Sequence, residues 1–341
     1  MITIRGTTMK MKAALYKDKL QAEVTEIDIP EIGPNDVLVK TVRSSICGSD
    51  TGGVGVFPGK EFGHETAGYV VKIGSDVKDF QEGDRVFVEP RRSMPSAFET
   101  CMLGGFSEYI RILNAKKNSS LWPLADSITW DQASLIEPFG VGTRGKNRPN
   151  AQVGDNVVVY GAGSIGLFCI SALKAQGITP VVVDIALSDY KLALLDKIGA
   201  VVAPLDETKF DFLREHFGEL PKRNSGTALN VDIVIDCAGA PVIFNDFQTH
   251  FGKAGCRLVT LGVIMKPVEI VPAFMMSTET LIMGSSGYDD ADIAEVIDNL
   301  ASGRTYVEEI ITHHYPLEQI NEALKMAANR EEAIKVVIDM E

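Results

Sequence analysis

From Lys12 to about Gly145 the chain alternates short apolar runs with turn residues. MKAALYK, DVLVKTVRS, TAGYVVKIG, DRVFVEP and FSEYIRI are rich in β-branched and aromatic residues and are separated by Gly, Pro, Asn and Asp. That spacing predicts a compact antiparallel β-barrel-like unit. The pattern changes between Asn147 and Val153. NVVVY reads as a buried strand and SIGLFCISALKAQ carries helical periodicity, and TPVVVD, KLALLDKIGA, VDIVIDCAGA and CRLVTLGV continue the alternation. Such alternation predicts parallel βαβ units in a doubly wound α/β sheet. After Met275, LIMGSSGY, DIAEVIDNLASG, VEEIITHHY and LEQINEALKMAAN read as strand, helix, strand and helix. Periodicity alone leaves open whether this tail extends the sheet or returns to the first unit. No internal repeat or low-complexity stretch interrupts the pattern.

The turn between the first strand and first helix of the second region is GAGSIG. Gly161, Gly163 and Gly166 have the spacing that permits a tight turn, backbone approach to a pyrophosphate, and close packing of helix on strand. Ser164 and Ile165 complete the loop and open the helix whose N-terminus stabilises phosphate charge. A lone motif of this kind is weak, but Asp184 ends the next strand about 20 residues on, where its carboxylate can accept hydrogen bonds from ribose hydroxyls. The same carboxylate would repel a 2'-phosphate, and Lys191 is the only compensating cation in IALSDYK, so NAD is expected over NADP. As a plain structural residue, Asp184 would cap the following helix.

Ahead of that loop stand Cys47 in SICGSD, His64 and Glu65 in EFGHETAGY, and Glu137 in IEPFGVG. Thiolate, imidazole and carboxylate together form a zinc-type donor set, and fewer than four fixed ligands leave a position for a substrate oxygen. Alone, Cys47 would read as a small buried hydrophobe and His64 as a core histidine. Their joint placement before a nucleotide-binding pattern changes that reading.

Length and charge narrow the class. At 341 residues, two domains are expected. A net charge of -13, from 33 basic and 46 acidic residues, argues against nucleic-acid and anionic-membrane surfaces. No apolar run approaches the roughly 20 residues of a membrane span. The opening MITIRGTTMKMK lacks the apolar stretch of a secretory signal, and Met9 and Met11 stand as alternative starts. Cys47, Cys101, Cys169, Cys237 and Cys256 are an odd number without short repeated spacing, which fits a reducing cytoplasm.

ICGSD, GHETAGYVVKIGSDV, QEGDRVFV, GGFSEY, IEPFGVG, GAGSIGL and VVVD, spanning Ile46 to Asp184, carry a resemblance. The chain resembles the zinc-dependent medium-chain alcohol and polyol dehydrogenases of the sorbitol and threonine dehydrogenase type. The resemblance implies a Rossmann doubly wound parallel sheet inserted in a GroES-like β-barrel catalytic domain. The catalytic domain would run over residues 1–146, the NAD-binding domain over 147–277, and the return over 278–341. It further implies Cys47 and His64 as zinc ligands, and Glu65 and Glu137 as the ligand or near-ligand carboxylates. Ser49 would take the substrate proton, and Asp50 would support the zinc histidine. Each bound carboxylate lowers the Lewis acidity of the metal, so Glu65 and Glu137 are not expected to ligate together when alcohol is bound. A homodimer or homotetramer is implied, joined through the edge of the Rossmann sheet, with VTLGVIMKPVEIVPAF and LIMGSS supplying that edge.

Departures from the family pattern matter as much. PRRSMPSAFETCMLGG contains only Cys101 where many relatives hold a second, structural zinc with four cysteines, so one catalytic zinc per chain is expected. Cys101 then reads as a leftover thiol. Gly52 stands where relatives often carry a relay histidine. Gly287 stands before Tyr288 where sorbitol dehydrogenases commonly carry arginine, which turns the expectation from sorbitol toward a smaller polyol, a cyclitol, an amino alcohol or another secondary alcohol. Phe106 and Phe139 are candidate pocket walls, although such aromatics are more often core. Arg91 and Arg92 are candidates for an acidic substrate group, against the commoner solvated face. A zinc-free NADPH-dependent quinone or enoyl reductase would lack the ligands and the acidic strand end. A non-catalytic NAD-binding protein would have lost Cys47, His64, Glu65 and Ser49.

Overall fold

In the structure, a computed structural model, residues 9–94, 97–206, 208–222 and 226–340 are described. The first eight residues, on which the alternative starts bear, lie outside them. The chain divides into two compact units, one running to Glu137 and resuming at Ile310, the other from Pro138 to Glu309.

In the first unit the strands are Lys10–Asp18 (β1), Gln21–Asp28 (β2), Val37–Ser45 (β3), Glu65–Ile73 (β4), Arg85–Val88 (β5), Tyr109–Ile112 (β6) and Leu121–Pro123 (β7). The five runs read from sequence become β1, β3, β4, β5 and β6. β1 and β2 form an antiparallel hairpin. β3 is the hub of the main sheet: it pairs antiparallel with β4 along its length and with β6 at its start. Val37, Val39, Val70, Val86, Val88, Ile110 and Ile112 fill one core beneath these strands. Tyr16, Phe62 and Phe106 anchor a second, with Phe62 and Phe106 edge to face at 4.9 Å between centroids.

The second unit carries Val157–Tyr160 (β8), Val181–Val183 (β9), Val201–Val202 (β10), Glu219–Pro221 (β11), Thr227–Leu229 (β12), Ile233–Asp236 (β13), Arg257–Thr260 (β14) and Leu281–Gly284 (β15). Six of them form one parallel sheet in the order β10-β9-β8-β13-β14-β15. The central strands are buried on both faces, which is why they read as continuous Val and Ile runs rather than alternating ones. Ser164–Ala175 and Val242–His250 are among the helices that supply the covering layers.

Three sequence expectations meet a different arrangement here. The helix Ile136–Asn147 carries the first boundary inside it, because Phe139 stacks on Phe168 at 5.5 Å and a side chain at Gly142 would meet the Cys169 backbone at 2.6 Å. Packing therefore claims the chain for the second unit from Pro138, ahead of the sequence boundary at 146. The second boundary also moves. LIMG becomes β15, paired in parallel with β14, and the helix Asp290–Ala301 buries Ile293, Val296 and Leu300, so the chain leaves this unit only at Ile310 rather than at 278. VTLGVIMKPVEIVPAF is not one strand: β14 stops at Thr260 and the helix Pro272–Thr278 follows, since Pro267 and Pro272 cannot continue a ladder.

The return consists of Ile311–Pro316 (β16), the helix Ile320–Ala328 and Lys335–Asp339 (β17). β16 pairs in parallel with β17, and β17 pairs antiparallel with the end of β3. No helix among the described residues is long and apolar enough to cross a membrane.

Candidate metal centre and dinucleotide loop

Sheet register builds the candidate metal centre. Ser45, the last residue of β3, faces Glu65 at the start of β4 and Val337 of β17. The Ile46 amide then donates to the Val336 carbonyl at 2.9 Å, carrying the register one step further. With a side-chain period of two, Ser45, Cys47, Glu65, Val337 and Lys335 share one face. Three strands separated widely in sequence thus deliver a thiol, a carboxylate and a lysine to one place.

Cys47 ends the extended segment and precedes the short helix Gly48–Gly52. Asp50 in that helix is wholly buried; its Oδ2 accepts from the Cys47 amide at 2.8 Å, and its Oδ1 faces His64 Nδ1 at 3.5 Å. Neither Oδ1 nor Nδ1 has a hydrogen-bond partner. Asp50 therefore ties the backbone of one candidate ligand to the ring of another. Among the described residues, the ligand atoms of Cys47, His64 and Glu65 lie within 4.8 Å of one another.

Glu65 is 1% exposed and is held through Oε2 by the Ser45 hydroxyl and by Lys335 Nζ at 2.5 Å. Burial disfavours a charged Lys335, but the negative groups around it, Glu65 above all, outweigh burial and raise its pKa. Burial likewise opposes a charged His64, and Asp50 and Cys47 overcome it, lifting the ring well above the usual histidine value. Glu137 is half-buried, and burial chiefly, with Glu65 and Glu89 adding against His64 and Lys335, pushes its carboxyl up to about 7. Acidic groups are crowded beyond what His64 and Lys335 compensate. Together with the thiol, imidazole and carboxylate donors, this crowding fits a divalent cation of the zinc type.

Two residues beside the cluster escaped the sequence reading. Cys101, read as a leftover thiol, lies with Sγ 3.5 Å from Ser49 Oγ and is among the groups that raise the His64 pKa. Lys335 is 5% exposed at the start of β17, within the apolar run AIKVVID. A lysine inside a buried strand was the available signal, because such a charge demands a partner. Phe106 and Phe139 are both wholly buried, each packed against another aromatic ring. Arg91 pairs through Nε with Glu89 at 3.2 Å, and the Arg92 amide donates to the same carboxylate.

In the second unit the glycine loop joins β8 to the helix Ser164–Ala175. Gly161 has φ +96, a left-handed conformation, and a side chain there would meet the Ala238 amide nitrogen at 2.9 Å. At Gly166 an added carbon would lie 1.9 Å from the Gly161 carbonyl oxygen. Gly163 faces open space, and Ser164 and Ile165 start the helix half-buried. Asp184 follows β9; it accepts from the Ala162 amide and, through its other oxygen at 2.6 Å, from Ala186. The carboxylate thus reaches the glycine loop itself. Lys191 is buried and donates to the Ala186 carbonyl at 2.9 Å, beneath the loop that follows Asp184.

Comparison with known proteins adds to this geometry. Residues 33–125 match the family model described as the alcohol dehydrogenase GroES-like domain, and residues 164–302 match the zinc-binding dehydrogenase model. Sorbitol dehydrogenase of Rattus norvegicus is 32% identical over 88% of this chain and 87% of its own length. The crystal structure of 2R,3R-butanediol dehydrogenase from Bacillus subtilis superimposes with a TM-score of 0.79 at 25% identity, covering 97% of this chain and 100% of that one. An alcohol dehydrogenase of Escherichia coli solved with NADH gives 0.81 at 25% identity, covering 97% and 99%.

Proposed function

This chain belongs to the zinc-dependent medium-chain alcohol and polyol dehydrogenases, a membership from which we propose that it interconverts a secondary alcohol and its ketone with NAD and a single zinc held by Cys47, His64 and Glu65. It is an oxidoreductase with a zinc-binding dehydrogenase domain and a nicotinamide cofactor. The observation that carries the proposed site is the meeting of Cys47, His64 and Glu65, backed by the buried Asp50, within the unit that the GroES-like model matches.

Zinc held by these residues supplies Lewis acidity that eases loss of the alcohol proton, and the nicotinamide supplies the hydride acceptor. Asp50 faces the histidine ring at Nδ1 and orients it by charge, which would leave Nε2 as the ligand nitrogen. Ser49 relays the alcohol proton, its Oγ accepting that proton while its own hydroxyl proton passes outward to the cofactor ribose or to water, with the Cys101 thiol against it. Glu137 stands as the second carboxylate of the site, its raised pKa suiting it to hold a proton near neutrality. Gly161, Gly163, Ser164, Ile165 and Gly166 cradle the pyrophosphate at the helix N-terminus.

The preference for NAD is supported by Asp184, whose carboxylate lies at the glycine loop, and by Lys191, whose ammonium is committed to the Ala186 carbonyl instead of a 2'-phosphate. Gly287 before Tyr288 puts smaller polyols, cyclitols and amino alcohols ahead of sorbitol. A homodimer or homotetramer joined at β15 is supported by the exposure of Val263, Met265, Met276 and Leu281 around that edge. Five free cysteines support a cytoplasmic setting.

The test is metal analysis with a panel of polyols, including sorbitol and 2,3-butanediol, cyclitols, amino alcohols and sugars, scored by NADH formation on zinc-loaded protein. One equivalent of zinc and turnover of a secondary alcohol are expected. Tight NADH binding with neither zinc nor turnover would overturn the proposal in favour of a non-catalytic dinucleotide-binding protein.

A further inference from the structure

Lys335 is the residue of the metal centre whose role the reaction scheme leaves unassigned. Its ammonium and the Ser45 hydroxyl meet the same oxygen of Glu65, Oε2. Both side chains of the ion pair are buried, Lys335 to 5% and Glu65 to 1% exposure, so solvent screens their attraction little. Lys335 also lies opposite Cys47 in the register that continues from the pairing of Val337 with Ser45. A fixed positive charge therefore sits beside two of the three candidate ligands.

Charge gives this placement a consequence. A divalent zinc bound by the Cys47 thiolate and the Glu65 carboxylate has no formal charge left, and a second carboxylate would make the assembly negative. The Lys335 ammonium restores one positive charge to the group. Resting on the zinc-site reading above, we propose that Lys335 is a positioning residue that sets the charge of the metal centre. With Ser45 it fixes one oxygen of Glu65 and offsets that carboxylate's charge, so that Glu65 offers its other oxygen, Oε1, as a weak single-oxygen ligand. The metal keeps its Lewis acidity, and Glu137 can approach without the two carboxylates together overloading the site.

Replacing Lys335 by Met removes the charge and keeps much of the apolar stem. Glu65 and Cys47 then have only the metal to neutralise them, so zinc binding tightens by at least about tenfold while kcat falls. Loss of packing alone cannot produce tighter metal binding, which separates the proposal from a structural role. Lys335→Arg keeps the charge and is expected to hold zinc within about twofold of the parent. Ser45→Ala removes a contact but no charge, and is expected to shift affinity far less than Lys335→Met.

The measurement is the zinc dissociation constant of the apo protein by competition with a chromophoric chelator, accompanied by circular dichroism and by the visible spectrum of the cobalt-substituted form. Unchanged or weaker zinc binding in folded Lys335→Met overturns the inference while leaving the zinc site intact. If Lys335→Met does not fold, an Arg variant with zinc affinity lowered or raised tenfold overturns it instead, and one that matches the parent supports it. A parent protein that binds no zinc overturns both this inference and the function proposed above.

Discussion

The closest packing in the dinucleotide loop is at Gly166, and Gly166→Ala turns it into a measurement. The added carbon would stand 1.9 Å from the Gly161 carbonyl oxygen and 2.9 Å from its carbonyl carbon. An ordinary carbon-to-oxygen contact is about 3.3 Å, so helix and loop must separate by about 1.4 Å. Overpacking of this kind costs about 1–3 kcal/mol, and contact with rigid backbone on both sides places the variant near the upper end. In a unit running from Pro138 to Glu309, that corresponds to a fall in Tm of about 6–12 °C. A shift of that size also exceeds the roughly 0.5 Å tolerance of a binding constellation, so NADH affinity should fall at least about tenfold. Gly163→Ala is the control: its φ of -73 suits any residue and nothing lies within 4 Å, so Tm should stay put while the new methyl obstructs the dinucleotide. Thermal denaturation and NADH fluorescence titration read both quantities. Parent-like Tm and NADH affinity in Gly166→Ala would refute the reasoning, because the helix would then not be held against the loop.

Other consequences follow from the same geometry. Chelation of the metal, or Cys47→Ser, should abolish turnover while NADH binding stays nearly intact; full activity in metal-free Cys47→Ser protein rejects the zinc role. Asp184→Asn removes the negative charge at the glycine loop and should narrow the preference for NAD over NADP by at least about tenfold, read as the ratio of kcat/KM values. Cys101→Ala should lower kcat with zinc content unchanged, since its thiol touches Ser49; parent-like kcat would return Cys101 to the status of a bystander. Phe106→Ala should cost about 3–5 kcal/mol in a chemical denaturation curve, as expected for a wholly buried ring. A change in KM without loss of stability would instead restore Phe106 as a pocket wall.

Elements with strong local signals were legible from sequence. β3, β4 and β8, and the helix Ser164–Ala175, appeared where their apolar patterns placed them, because buried strands and amphipathic helices are selected by burial of their own side chains. Weakly patterned pieces were not. β10 is two residues long and β7 three, too short to show a period, and QAEVTEID (β2) is half polar because its strand is only partly buried. The bounds of the two units differ from those read in the sequence for a related reason: whether LIMG extends a sheet depends on its pairing with β14, and no residue of LIMG states that by itself.

By itself the sequence determined the chemistry on offer: a thiol, an imidazole and carboxylates ahead of a glycine loop, and an acid at the end of the following strand. Those inferences rest on residue type and short-range spacing, which the linear chain carries in full. The tertiary structure alone decided which groups meet. Lys335 joins Glu65 because β17 returns to pair with the end of β3, and Cys101 reaches Ser49 because the segment Ala97–Met102 folds back to the candidate metal centre. Neither contact has a local signature, since register between distant strands is fixed by the burial of whole faces, and the charge balance of the cluster is a property of that assembled face.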